Sequence, residues 1–157
     1  MDEKYKKILE DTFKEVMEGL AFMFVESTEK DKLPVGEEIY LHAFMTFSGP
    51  LTGKLEIIAG TGLCRLLATN MLGIESLDDE RQKKATDALK ETLNTICGRF
   101  LTALAGEKPV FSLTTPEITE IDNINWGEIK DNDNTLFFRI DEYPVLMLAD
   151  YKETSCK

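Results

Sequence analysis

The first apolar positions of the chain recur at the spacing of a helix. Between residues 5 and 26 they return every three or four residues, which predicts a helix with one buried face. That apolar stripe consists of Leu9, Phe13, Val16, Met17, Leu20 and Phe24. Phe22 lies off the stripe. It either contacts a partner protein or is covered by a neighbouring helix, and we expect the second.

The apolar period shortens to two at about residue 38. Apolar residues alternate over 38–47, which predicts a strand with the odd-numbered residues on one side. Ser-Gly-Pro at 48–50 then predicts a turn, and 51–58 a second strand, so the two form a hairpin. His42 lies on the even-numbered side, where we expect an ordinary strand residue that faces solvent or a helix.

Two further helices are predicted after the hairpin. Residues 61–72 form the shorter one, and Gly73 follows as a residue that commonly ends a helix. Asp78 or Asp79 caps a second long helix, which has Glu80 in its first turn and extends to about Ala105.

The last third of the chain is rich in β-forming and turn residues. It predicts strands at 135–140 and 143–150, with Lys-Asp-Asn-Asp-Asn at 130–134 as a hairpin-like connection and a frayed tail from Lys152. The order of elements favours an α+β fold: a mostly antiparallel sheet with two long helices and one shorter helix packed on it. At 157 residues we expect one domain, 1–157.

Charge and composition exclude several kinds of partner. The net charge is −11, which disfavours nucleic acid and anionic membrane surfaces. No apolar run approaches the length of a membrane span, and the charged N-terminus has no secretory signal. We therefore expect a cytoplasmic protein that binds neither nucleic acid nor membrane.

The sequence offers little to bind a metal or a cofactor. His42 is the single histidine, the three cysteines show no Cys-x-x-Cys spacing, and no glycine-rich phosphate loop is present. We expect no metal and no cofactor of its own.

The second long helix has a polar face that holds the candidate chemistry. Each residue advances a helix by about 100°, so Asp87, Glu91, Asn94 and Gly98 lie almost opposite the apolar stripe. Glu91 and Asn94 are neighbours at i,i+3 spacing. Five basic and four acidic residues between Asp79 and Ala105 make this segment net positive in an acidic chain. Spacing alone leaves two interpretations open, a solvated helix surface or a functional pair.

A longer stretch favours the functional interpretation. Residues 87–106 resemble the phosphatase helix of the CheC/CheX chemotaxis family, in which Glu-x-x-Asn is followed by Ile and Gly. Glu91, Asn94, Ile96 and Gly98 match that pattern in register. Residues 44–73 are similar to the strand, turn, strand and helix that precede it. In the first helix Glu15 is followed three residues later by Glu18, where a second Glu-x-x-Asn motif would have asparagine. The chain therefore resembles the CheX-like branch, which has one motif.

The resemblance implies a phosphatase that removes the aspartyl phosphate of a CheY-like response regulator. Asn94 would hold the attacking water and Glu91 would pair with the regulator, while Asp87, Lys90 and Gly98 would contact it. Mg²⁺ would be bound by the phosphorylated regulator, and the chain would form a homodimer. The alternatives are a non-catalytic module that binds a regulator, as flagellar switch proteins of this architecture suggest, and a dimeric scaffold joined through its strands.

Overall fold

The computed structural model describes residues 2–34, 39–73 and 78–154, with residues 78–81 and 123–125 described by backbone alone. Within these ranges seven strands form one sheet in the order β1-β6-β7-β3-β2-β4, and β5 also pairs with β2. Every pairing is antiparallel. The strands are β1 (Glu26–Ser27), β2 (Ile39–Ser48), β3 (Leu51–Gly60), β4 (Ser112–Leu113), β5 (Glu117–Asp122), β6 (Thr135–Ile140) and β7 (Tyr143–Glu153).

The described residues also form four α-helices, and the fold class is α+β as predicted. The helices are α1 (Glu3–Ala21), α2 (Thr61–Leu72), α3 (Asp78–Ala105) and α4 (Asn123–Lys130). The helices α1, α2 and α3 share one core with the sheet, whereas α4 packs on a second, smaller cluster. No helix of the described ranges is long and apolar enough to cross a membrane.

The alternation along β2 separates the two faces of the sheet. Leu41, Ala43, Met45 and Phe47 are buried beneath α1 to α3. On the other face Tyr40 is also buried, because Trp126 of α4 stacks on it with ring centroids 4.0 Å apart and planes inclined by 7°. The sheet is therefore covered on both faces at this end.

The first helix is shorter than predicted. It ends at Ala21 rather than at residue 26, because Phe22 takes a left-handed conformation with φ of 56°. That turn brings Met23 into the core and leaves Phe22 76% and Phe24 77% exposed. The expectations that Phe24 belongs to the buried stripe and that a helix covers Phe22 are therefore wrong.

The segment before β6 also differs from the prediction. Lys130 is the last residue of α4, and 131–134 connect that helix to β6 rather than joining two strands; β6 and β7 are joined by the two-residue turn at 141–142. Lys152 and Glu153 belong to β7 instead of a frayed tail, and residues 155–157 of the predicted tail lie outside the described residues. Thr154 secures this end of the strand, since its hydroxyl donates a hydrogen bond of 2.6 Å to the carbonyl of Gly49.

Candidate active site on helix α3

Helix α3 has one buried face and one exposed face, as the sequence predicts. The buried positions against the sheet include Ala85, Leu89, Leu93, Ile96 and Phe100. Asp87, Glu91 and Asn94 are exposed on the opposite face. A helix that must bury one stripe leaves the residues half a turn away in solvent.

Two threonine hydroxyls near Asn94 form hydrogen bonds within the same helix. Thr95 donates to the carbonyl of Glu91 at 2.9 Å, and Thr102 donates to that of Gly98 at 3.0 Å. The Asn94 amide, by contrast, has no hydrogen-bond partner in the described part of the chain. Its carbonyl and amino groups are therefore available to a water or to another molecule.

Glu91 and Asn94 line a groove of about 340 Å³ together with Asp87 and Lys90. The opposite wall comes from residues 113–116, which are the last residue of β4 and its connection to β5. Sequence reasoning missed this wall. Pro116 could have indicated it, because proline has no backbone N–H to donate to a neighbouring strand and is therefore found where a strand at the edge of a sheet is interrupted.

Gly98 lies one turn beyond Asn94, at the half-exposed side of the helix. A Cβ built on it meets no atom within 4 Å. The glycine is therefore not required by packing within the described residues, and its effect is to keep the helix surface low beside Asn94.

The charge of α3 differs slightly from the prediction. Because the helix begins at Asp78, it contains five basic and five acidic residues and carries no net charge. Neutrality is still a local exception in a chain of net charge −11. Lys90 is the basic residue that lines the groove.

Another group of charged residues lies on β2 and β3, on the face of the sheet away from α3. Glu56 is 2.9 Å from Nε2 of His42 and 3.2 Å from Nζ of Lys54. Burial acts to raise the pKa of Glu56, but the hydrogen bond from His42 and the charge of Lys54 outweigh it and lower that pKa. His42 is a half-buried strand residue bonded to a carboxylate.

The described residues contain no group of three or more histidine, cysteine or acidic side chains placed to hold a metal ion. Cys64 and Cys97 are both buried, and burial raises the pKa of Cys97 to about 12. A larger groove of about 560 Å³, at the end of the β2–β3 hairpin, shares Leu113 and Thr114 with the first. It contains no residue of α3.

An antiparallel sheet with long helices on one face is the architecture of the CheC/CheX-type chemotaxis proteins. A family model described as "Chemotaxis phosphatase CheX" matches residues 41–138. The chain therefore belongs to the CheX family.

Solved structures show the same fold at low sequence identity. A chain of the CheX–CheY–BeF3–Mg²⁺ complex from Borrelia burgdorferi is 18% identical, with a TM-score of 0.68 over 95% of this chain and 98% of that one. CheX from Vibrio vulnificus is 15% identical, with a TM-score of 0.68 over 94% of this chain and 96% of that one. FliY from Thermotoga maritima is 13% identical, with a TM-score of 0.53 over 94% of this chain and 90% of that one. No curated protein matches the chain.

Proposed function

We propose that this chain dephosphorylates the aspartyl phosphate of a CheY-like response regulator, with Glu91 and Asn94 as the residues that enter the regulator. The observation that carries the proposal is the Asn94 amide, which is exposed at a groove and has no partner among the described residues. Membership of a phosphatase family supports the reaction class. A related CheX has been crystallised with CheY, BeF3 and Mg²⁺.

The reaction needs a positioned water rather than a nucleophile from the protein. A water oxygen bonds to phosphorus, the bond between phosphorus and the aspartyl oxygen breaks, and the products are a free aspartate carboxylate and inorganic phosphate. The protons of the water stay on the phosphate or pass to solvent. Phosphoryl transfer depends mainly on positioning and on charge stabilisation. Asn94 orients the water by accepting a hydrogen bond from it at Oδ1.

An amide suits this position better than a carboxylate. It forms hydrogen bonds without adding negative charge beside the phosphoryl oxygens. The regulator's own Mg²⁺, when bound, neutralises part of the phosphoryl charge. This chain supplies no metal ligand to that step, and its contribution is the geometry of the attacking water.

The neighbouring residues of α3 hold the regulator in register. The carboxylate of Glu91 pairs with a cationic side chain of the regulator, since charge-assisted hydrogen bonds are the stronger ones. Asp87 and Lys90 line the same groove and contact the regulator's surface. Gly98 leaves space for its backbone.

We further propose that the chain acts in the cytoplasm as a single domain and as a homodimer with one site per chain. The predicted strand 143–150 cannot carry the pairing of two chains, because β7 lies inside the sheet between β6 and β3. Light scattering coupled to size exclusion measures the oligomeric state directly.

The test is the loss of acyl phosphate from a regulator phosphorylated by a small phosphodonor. Asn94→Ala is expected to lower the stimulated rate by about a hundredfold or more, as removing a positioned polar group does elsewhere. Arg99→Gln, on the exposed side of the same helix but outside the groove, is the control. Equal turnover by Asn94→Ala and the unsubstituted chain would refute the assignment. Regulator binding without turnover by the unsubstituted chain would identify a non-catalytic binding module instead.

A further inference from the structure

The groove beside Glu91 and Asn94 has a second wall from a distant part of the chain. We call this segment, Leu113–Thr115, the edge wall. It comprises Leu113, the last residue of β4, and the first two residues of the connection to β5, and these two strands pair with opposite ends of β2. The pairing with β2 places the edge wall across the groove from α3.

The edge wall is held firmly against β2. The amide of Thr46 donates to the hydroxyl of Thr114 at 2.8 Å, and the amide of Thr114 donates to the carbonyl of Thr46 at 3.0 Å. The Thr114 hydroxyl thus accepts a main-chain hydrogen bond from β2 just beyond the end of β4. Pro116, which follows, is buried. These contacts fix the far end of the edge wall before any partner binds.

The chain that leads into the edge wall is equally constrained. The ring of Phe111 packs edge-on against Phe47, with centroids 6.5 Å apart. A Cβ on Gly49 would lie 2.8 Å from the carbonyl oxygen of Val110, so the segment passes directly over that glycine. Both ends of the edge wall are therefore fastened to the β2–β3 hairpin.

The edge wall directs an apolar side chain and a hydroxyl outward. Leu113 is 41% exposed and Thr115 is exposed. The groove of about 340 Å³ is small compared with a folded partner. A protein that places its phosphorylated side chain against Asn94 must therefore cover the opposite wall of the same groove.

We propose that the edge wall is a second docking surface for the response regulator, in which Leu113 and Thr115 contact the regulator next to its phosphorylated aspartate. It determines which regulators are accepted, because a rigid, uncharged wall rejects receivers whose surface is too bulky there or places a charge against Leu113. The proposal rests on the proposed function for the identity of the partner, and on the geometry of the groove for the surface.

Binding is measured with CheY-like receiver domains held in the phosphorylated form by beryllofluoride and Mg²⁺, so that no turnover is needed. Leu113→Glu and Thr115→Glu each place a carboxylate on the edge wall. Val110→Glu is the matched control: it adds the same charge three residues before Leu113, at a side chain that is 85% exposed and lines no part of the groove. Thermal unfolding verifies that each variant is folded. If Leu113→Glu is not folded, Thr115→Glu alone tests the edge wall.

We expect the two edge-wall variants to raise Kd by about tenfold or more and Val110→Glu by less than about twofold. Unchanged affinity in both edge-wall variants, alongside loss of turnover in Asn94→Ala, would overturn this inference and leave the proposed function standing. If the edge-wall variants bind more weakly but the unsubstituted chain shows no turnover, this inference stands and the proposed function is overturned. A chain that binds none of the receivers would overturn both.

Discussion

The hydroxyl of Thr95 contacts Glu91 twice. It donates to the main-chain carbonyl of Glu91 at 2.9 Å and lies 3.5 Å from the carboxylate oxygen Oε1. The first contact is a normal hydrogen bond, and the second is at the outer limit for one. Thr95 thus sits between the backbone and the carboxylate of the residue that we propose to pair with the regulator.

This contact makes Thr95 a positioning residue for Glu91. Thr95→Val keeps the shape of the side chain and removes the hydroxyl beside Oε1, so regulator affinity should fall by up to about fivefold, because the 3.5 Å contact with the carboxylate is weaker than a normal hydrogen bond. Thr95→Ser should restore it. In a Glu91→Ala background the Thr95→Val effect should disappear, and an unchanged effect there would show that Thr95 acts independently of Glu91.

Glu91 itself should matter more for docking than for folding. Its side chain is exposed, so Glu91→Ala should change the free energy of unfolding by no more than about 0.5 kcal/mol. The Kd for a beryllofluoride-activated receiver should rise about tenfold or more, since a charge-assisted pair is lost. Titration by fluorescence anisotropy measures this, and an unaltered Kd would remove the proposed role.

Gly98 allows stability and docking to be separated. Gly98→Ala should raise the free energy of unfolding by up to about 1 kcal/mol, because alanine is the better helix former and a Cβ meets nothing within 4 Å. Gly98→Leu should stay folded and yet lose at least about tenfold in regulator affinity by filling the clearance beside Asn94. Gly19→Leu on α1, where the added Cβ is equally free, is the control. Equal affinity of Gly98→Leu and Gly19→Leu would contradict the clearance role.

The contact of Glu56 with His42 and Lys54 predicts a pH-dependent stability. The folded-state pKa of Glu56 is lowered from its ordinary value of 4.5, so its contribution is fully present above pH 4.5 and is lost as the pH falls through the lower folded value. Glu56→Gln should cost about 1 kcal/mol in the free energy of unfolding at pH 7, a figure reduced for partial exposure. Urea titrations should show that the difference in the free energy of unfolding between Glu56→Gln and the unsubstituted chain is smaller at pH 3 than at pH 7. Glu120→Gln, at an exposed position, should not differ from the unsubstituted chain at either pH.

The stacking of Trp126 on Tyr40 should hold α4 to the sheet. Trp126→Ala should lower the free energy of unfolding by about 2–3 kcal/mol, less than for a fully buried tryptophan because this one is half-buried. Urea unfolding followed by circular dichroism measures the loss. Phe24→Ala removes an aromatic ring that is 77% exposed and should change little. Similar losses in both variants would show that the stacked pair is not special.

The periodicity of the chain was sufficient to find the helix of the site and its orientation. Once Leu89, Leu93 and Ile96 are assigned to a buried stripe, the geometry of the helix places Glu91 and Asn94 on the outer face. The same reasoning found β2 and β3, because strict alternation and a Ser-Gly-Pro turn are local signals. It failed at Phe22, where the demand to bury Met23 ended a helix that the pattern would have continued.

Local pattern could not reveal what faces that helix. The edge wall at residues 113–115 reaches Asn94 only because β4 and β5 pair with β2 in a particular register, and such pairing is a property of the assembled sheet. Helix α4 was missed for a related reason: its eight residues depend on Trp126 docking against Tyr40, and short helices gain their stability from packing. The sequence alone thus decided which residues point outward from α3, since a helix relates its faces by rotation. Only the tertiary structure decided that those residues form one side of a groove, since the other side comes from strands distant along the chain.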